Sequence, residues 1–338
     1  MIQDSIKQLI SKKSLTKTQA QQVMNEIMSG EVTGSQFGAF VTSLMLKGET
    51  ANEVAGLATS MREHSLKVSV SEKIILDTCG TGGDNSNTFN ISTASGLILA
   101  GCGLKIAKHG NRAMSGNSGS ADVLERLGVK INLSPKGVSK CIQETNFGFM
   151  FAQIYHPSMK FAAGPRKELG IKTVFNILGP LTNPANANHQ IIGVYSPSVG
   201  NLMAEVLKIL GSSRAMVVHS ADGIDEISLW DKTNIWELKN NEISNYEVTH
   251  KNFGLNQIDI NELKVNSPEE SVKIIQNILS GKKSAARDVV LANAAAGLLI
   301  AGKVDNLIEG VEIAQKSIDS GNASKQLNKL NKISNKLE

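Results

Sequence analysis

Cysteine is scarce in this chain of 338 residues: Cys79, Cys102 and Cys141 are too few and too widely spaced for a zinc knuckle or a disulfide framework. That scarcity suits a reducing cytoplasm, which is the expected location. No apolar run approaches the length of a membrane span, and even "AAAGLLIAG" at 294–302 stops far short. The opening "MIQDSIKQLISKK" lacks the basic start and continuous apolar stretch of a signal peptide, so a soluble, unexported protein is expected. A strong charge bias is missing too. The formal net charge of +4 is a weak argument for a nucleic-acid partner, and a local basic cleft for a small anion explains it equally well. Two nucleotide signatures are absent: no G-x-x-x-x-G-K-[ST], and no G-x-G-x-x-G opening a helix after a strand. Internal repeats and low-complexity linkers are also lacking.

What remains is the composition of an ordinary globular protein, 41% apolar and 20% charged, which can bury a core of useful size. Residues 1–66 read as helices only. Ile2, Ile6, Leu9 and Ile10 share one helical face, and Thr16 with Gln19 and Thr50 with Glu53 match the capping box. From residue 73 short apolar runs alternate with helical segments: Ile74–Leu76, Leu104–Ala107, Phe149–Ala152, Gln190–Tyr195 and Ala215–His219. That rhythm predicts crossovers on a largely parallel sheet. Residues 227–249 break it and read as antiparallel strands, and helices return from 267. Two domains are expected, a helical one over 1–66 and an α/β one over 73–338. The segment 157–186 either returns to the helical domain or forms a hinge. The last helix, "SKQLNKLNKISNKLE", is expected to pack through Leu327, Leu330, Ile333 and Leu337 with its lysines in solvent.

The chemistry concentrates at strand ends. "DTCGTGGDNSNTFNIST", 77–93, places Gly80, Gly82 and Gly83 where backbone N–H groups can converge on an anion. Thr88, Asn90, Ser92 and Thr93 then stand at a helix start, a second anion-binding device. "KHGNRAMSGNSGSADVLERLG", 108–128, repeats the arrangement and adds the cations Lys108 and Arg112. Two such loops argue for one polyphosphate between them. "HSADGIDEISLW" sets Asp225 and Glu226, with Asp222 close by, beyond another strand, a pair suited to Mg²⁺ beside phosphates. Arg166 follows a Gly-Pro turn and can fork onto a carboxylate or sit on a helix surface. His109 and His156 either line the same pocket or merely pack. Cys79 reads as a small residue closing a strand, since no base adjoins it.

In order, "DTCGTGGD", "FNIST", "KHGNR", "SGSADVLE", "HPSM", "GPRKELGIKT", "FNILGPLTNPA" and "DGIDE" resemble the signature segments of the anthranilate phosphoribosyltransferases. The resemblance implies a small all-helical domain hinged to a larger α/β domain with a mainly parallel central sheet, of the nucleoside phosphorylase/phosphoribosyltransferase kind, usually homodimeric. It implies transfer of phosphoribosyl from phosphoribosyl pyrophosphate to anthranilate in tryptophan biosynthesis, with Mg²⁺. The donor would lie against Gly80, Gly83, Asp84, Thr88, Asn90, Ile91, Ser92, Thr93, Lys108, His109, Gly110, Asn111, Arg112, Ala113, Met114, Ser115, Gly116 and Ser120. Anthranilate would meet Gly80, Asn111 and Arg166, Mg²⁺ would meet Ser92, Asp225 and Glu226, and Lys108 and Asn111 would serve the chemical step. Gly116 and Asn117 depart from the family pattern, which has a second serine there. Neither nucleic acid nor membrane is an expected partner.

Overall fold

The structure is a computed structural model that describes residues 1–84, 86–113 and 118–337. Four helices come first: α1 (Ile2–Ile10), α2 (Lys17–Met28), α3 (Gly34–Lys47) and α4 (Ala51–Glu63). Helices α2, α3 and α4 open on one device. Thr16, Thr33 and Thr50 accept the N–H three residues on, and Gln19, Gln36 and Glu53 accept the threonine's own N–H in return.

The chain then enters the α/β layer through β1 (Ile75–Gly80), α5 (Ile91–Gly101), β2 (Lys105–Gly110), α6 (Ser120–Arg126), α7 (Pro135–Thr145) and β3 (Phe147–Phe151). Three helices follow: α8 (Ala152–Tyr155), α9 (Lys160–Leu169) and α10 (Phe175–Leu178). Next come β4 (His189–Gly193), α11 (Pro197–Ile209), β5 (Arg214–Ser220), β6 (Thr233–Lys239) and β7 (Glu242–Val248). Helices α12 (Pro268–Leu279), α13 (Ala285–Ile300), α14 (Leu307–Asp319) and α15 (Asn322–Ser334) close the chain.

The seven strands form one sheet in the order β3-β2-β1-β4-β5-β6-β7. The first five are parallel, and β6 and β7 run antiparallel, joined at Asn240 and Asn241. Both asparagines have positive φ, 52° and 62°, as a two-residue hairpin of right-twisting strands demands. Strand order reverses beside β1: the chain steps outward to β2 and β3, then returns to lay β4 on the other flank. In such sheets the crevice for ligands opens at the carboxyl ends of the two strands where the order reverses. Here those ends are Gly80 and Gly193, which stand opposite each other in the β1–β4 register.

Side-chain alternation divides the interior. Ile191, Met216, Val218 and Ile235 face a core built with α5 and α13, whereas Ile192, Val217, Trp236 and Leu238 face α11 and the N-terminal helices. Ala162, Val174, Phe175, Ile177, Leu178 and Leu181 also lie in this second core, so the chain revisits the helical layer between β3 and β4. At the C-terminus Leu327 and Leu330 are buried while Lys325, Lys329 and Lys332 are exposed.

One buried polar network ties the sheet to that returning segment. Asp77 of β1 is fully buried and accepts from Asn183 Nδ2 (2.7 Å) and His109 N (3.3 Å). Asn183 donates also to Ala107 O (2.8 Å), so one carboxamide spans β1 and β2. Burial raises the Asp77 pKa to about 6, against the opposing pull of Lys108. Removing the carboxamide leaves a buried carboxylate short of a donor. Asn183→Ala is therefore expected to cost roughly 1–3 kcal/mol of folding stability in urea titrations, and a loss of only a few tenths would refute that role.

Candidate active site

The site forms where the sheet's strand order reverses. Gly82 and Gly83 have φ of 64° and 76°, a left-handed pair that turns successive N–H groups toward one point. One of these is already used: Gly82 N donates to Asp225 Oδ2 at 2.8 Å. The Asp225 backbone lies directly over Gly193 and its carboxylate over Gly80, in space that a Cβ on either glycine would occupy. Glu226 Oε1 accepts from Ser92 N at 3.1 Å. The acidic turn after β5 is thereby held against both the glycine loop after β1 and the start of α5.

Lys108 reaches the same place from below. It is 1% exposed, and its Nζ donates to Thr78 O and to Ser92 Oγ, the latter at 3.2 Å. Thr78 Oγ1 in turn donates to Ser92 O at 2.9 Å. Ser92 is thus gripped by Glu226, Lys108 and Thr78. Burial lowers the Lys108 pKa and the charge of Asp77 raises it. Burial raises Asp225 to about 7, helped by the neighbouring charge of Asp84, and it raises Glu226 well above the usual range, helped by Asp225. Three carboxylates therefore crowd one crevice. Among the described residues no group of three or more His, Cys, Asp and Glu side chains is arranged to enclose a metal. A divalent cation here would take Asp225 and Glu226 and complete its shell with water and ligand oxygens, which suits Mg²⁺. The crowded, partly desolvated carboxylates fit that cation.

The start of α5 is less open to an anion than its hydroxyl-rich sequence suggests. The N–H groups of Asn90, Ile91 and Ser92 are bonded to Ser271 Oγ, Phe89 O and Glu226 Oε1. Thr93 is fully buried, its Oγ1 unpartnered among the described residues, Ile91 is buried, and Thr88 Oγ1 lies 3.3 Å from Ser86 Oγ. On the second loop, Ser120 Oγ donates to Asn111 O (3.3 Å), and Asn111 Oδ1 accepts from Arg112 N (2.8 Å). Arg112 is engaged elsewhere. Its guanidinium pairs with Asp122 (2.8 Å) and Glu125 (2.9 Å) of α6 and lies over the Phe151 ring at 5.5 Å. Ala113 N donates to Asp122 Oδ2 at 3.0 Å. Met114, Ser115, Gly116 and Asn117 lie outside the described residues. Gly110, the last residue of β2, lies close against the Ser120 hydroxyl.

Arg166 shares no hydrogen bond or ion pair with these residues. It sits on α9, half-buried, with its guanidinium over the Phe175 ring at 5.3 Å, and among the described residues it has no polar partner. Burial lowers its pKa. His109 and His156 lie with ring centroids 5.0 Å apart, both buried with Nε2 atoms unpartnered among the described residues, and burial pushes their pKa values down to about 3 and about 4. The Cys79 thiol is pushed well up by burial and by Asp77, which leaves it a packing residue. Asp222 is exposed and accepts from Ile224 N on its own loop.

Several contributors carry no local signal in the sequence. Gly193 belongs to a strand that reads only as core. Asn293 of α13 is 2% exposed; it accepts from Ile227 N (3.1 Å) and donates to Ile227 O (3.0 Å), bracing the acidic turn from behind. A lone polar residue in "VVLANAAAGLL" was the available hint. Lys172 donates to Gly83 O (3.0 Å) and lies 4.2 Å from the Tyr195 ring centroid, linking the segment before β4 to the glycine loop.

Comparison with known proteins bears on this geometry. A model described as the glycosyl transferase family, a/b domain, matches residues 72–324, and the helical bundle domain of the same description matches residues 3–65. The chain is 48% identical over 339 residues to an anthranilate phosphoribosyltransferase of Dehalococcoides mccartyi, covering 100% of this chain and 99% of the relative. It is 45% identical over 335 residues to that of Acetivibrio thermocellus, with 99% and 97% covered. Among solved structures it resembles the anthranilate phosphoribosyltransferase of Thermus thermophilus, at a TM-score of 0.93 and 39% identity over 98% of this chain and 99% of that one. The Saccharomyces cerevisiae enzyme in complex with PRPP and Mg superposes at a TM-score of 0.92 and 30% identity, over 99% and 98%.

The crowding of carboxylates has a measurable consequence. Asp225→Asn with Glu226→Gln keeps both backbone hydrogen bonds and removes two repelling charges. In the absence of divalent cations this double variant is expected to melt above the parent protein. A lower melting temperature would show that the acidic turn carries no electrostatic strain.

Proposed function

This chain belongs to the anthranilate phosphoribosyltransferases, and from that premise we infer that it joins anthranilate to phosphoribosyl pyrophosphate, giving N-(5-phosphoribosyl)anthranilate and pyrophosphate in tryptophan biosynthesis. The observation that carries the site assignment is the acidic turn seated under the glycine loop, with Lys108 beneath both. The donor's phosphates lie between the 80–93 and 108–120 loops, and the Mg²⁺ ion is held by Asp225 and Glu226 with Ser92 beside them. Bound there, Mg²⁺ neutralises charge on the departing pyrophosphate. The residues of the chain do the rest. Lys108 adds positive charge from below, and the Gly83 N–H and the partly exposed hydroxyls of Thr88 and Ser92 hold the donor's oxygens.

The bond formed joins the amine nitrogen of anthranilate to the anomeric carbon of ribose, and the bond broken joins that carbon to pyrophosphate. An aromatic amine is neutral and nucleophilic at physiological pH, so no strong base is required. The departing pyrophosphate or water takes its proton. Asn111 and Gly80 place the acceptor, and Arg166, without a polar partner of its own, holds the anthranilate carboxylate. Positioning supplies much of the acceleration. The helical domain of residues 1–66 and the donor-binding domain of 73–338 close about the connections, including 157–186, and exclude water that would hydrolyse the donor. The working unit is a cytoplasmic homodimer. Exposed Ile10, Leu46 and Phe161, on α1, α3 and α9, of which α3 packs against the other two, support that reading.

The test is loss of anthranilate fluorescence on adding phosphoribosyl pyrophosphate and Mg²⁺ to the purified protein; no loss would refute the reading. Arg166→Ala then removes a charge-assisted contact worth roughly 1.5–3 kcal/mol, a fall of about 10- to 150-fold in kcat/KM for anthranilate. Arg166→Lys recovers part of it, because the ammonium keeps the charge and loses the fork. Equal weakening of donor and anthranilate, with a lower melting temperature, would make Arg166 structural.

A further inference from the structure

The second half of the glycine-rich loop is docked on a distant segment. Phe89 N donates to Leu263 O (2.9 Å), Val265 N donates to Asn87 O (2.8 Å), and Thr88 and Lys264 form an antiparallel bridge. Residues 87–89 thus run as a short rung on residues 263–265, immediately before α12. The next contact comes from α12 itself. Ser271 is fully buried, and its Oγ accepts from Asn90 N (3.0 Å) and donates to Asn90 Oδ1 (3.0 Å). Asn90 carries the link onward to the second loop. Its Oδ1 accepts from Ser118 Oγ (2.6 Å) and its Nδ2 donates to Ser118 O (3.1 Å).

These bonds fix the carboxamide. Ser118 O accepts only, so the atom facing it must be nitrogen, and both lone pairs of Oδ1 are taken by the two serine hydroxyls. One N–H of Asn90 remains for a ligand, in a direction that Ser271 and Ser118 determine. We propose that Ser271 is a positioning residue of the donor site: it sets the Asn90 amide and, through Asn90, holds Ser118 two residues before α6. This rests on the placement of the donor against Asn90. The stretch "PEESVKIIQ" contains nothing that marks the serine for such a task, because its partner lies 181 residues away.

Ser271→Ala is a mild change for a helix and deletes both bonds to Asn90. The binding constant of phosphoribosyl pyrophosphate, measured without anthranilate, is expected to weaken about 2- to 10-fold, the loss of one or two ordinary hydrogen bonds. The KM for anthranilate at saturating donor should stay unchanged. Ser271→Cys, nearly isosteric but a poor hydrogen-bond partner, gives the same donor-side shift and serves if the alanine variant folds poorly. Unchanged donor binding in both variants, whatever their melting temperatures, would make Ser271 merely structural and overturn the proposal. Asn90→Ala separates the two claims. Weaker donor binding there supports the placement of the donor, and unchanged binding overturns that placement itself.

Discussion

Two missing Cβ atoms decide what stands at the mouth of this sheet. Gly80 and Gly193 are partners across the β1–β4 ladder, and the turn after β5 occupies the space their side chains would fill. Any larger residue at Gly193 would meet the Asp225 backbone itself, which has no rotamer to yield. The gap brings an acidic turn from one side of the crevice into bonding distance of a glycine loop from the other. From that approach follow the Gly82–Asp225 bond, the Ser92–Glu226 bond and the grip of Lys108 on Ser92. The crevice is therefore one interlocked unit rather than three loops that happen to meet.

The arrangement is costly when no ligand is present. Asp84, Asp225 and Glu226 repel one another in a partly desolvated space, and a carboxylate at Asp77 lies deeper still. Lys108 is the cation that faces them from within the sheet. Strain of this kind persists only where the surrounding structure imposes it. Here Asn183 holds Asp77 and Asn293 holds the far side of the acidic turn, each with paired hydrogen bonds from a fully packed position. A divalent cation at the carboxylates would relieve the imbalance that Lys108, buried beneath Ser92, offsets only in part.

Much of this was legible in the sequence, and the exceptions share one cause. Apolar runs at Ile74–Leu76 or Ala215–His219 and capping boxes at Thr16 and Thr50 are local signals, and the corresponding strands and helices are where those signals place them. The hairpin within 227–249 and the buried leucines of α15 follow from patterning as well. Asp225, Glu226 and the glycine loop stood out through composition, and the structure brings them together. By contrast Ser271, Asn183 and Asn293 act on partners 181, 106 and 66 residues away, and no local pattern links a single serine or asparagine to a partner so distant. Arg112 shows the converse. Its sequence setting beside Lys108 suggests a phosphate contact, yet Asp122 and Glu125, ten and thirteen residues on, hold its guanidinium.

The helical layer and one face of the sheet share an apolar core through α11, α9 and α10, so the segment between β3 and β4 is packed with the helical layer. The claim on which this account rests is that the glycine gap seats the acidic turn for its cation. Gly193→Ala tests it directly, by counting Mn²⁺ bound in the presence of phosphoribosyl pyrophosphate with electron paramagnetic resonance while circular dichroism monitors the sheet. The account predicts a native-like spectrum with Mn²⁺ affinity weakened about tenfold or more, equivalent to roughly 1.4 kcal/mol. Parental Mn²⁺ affinity in a folded Gly193→Ala protein would contradict it.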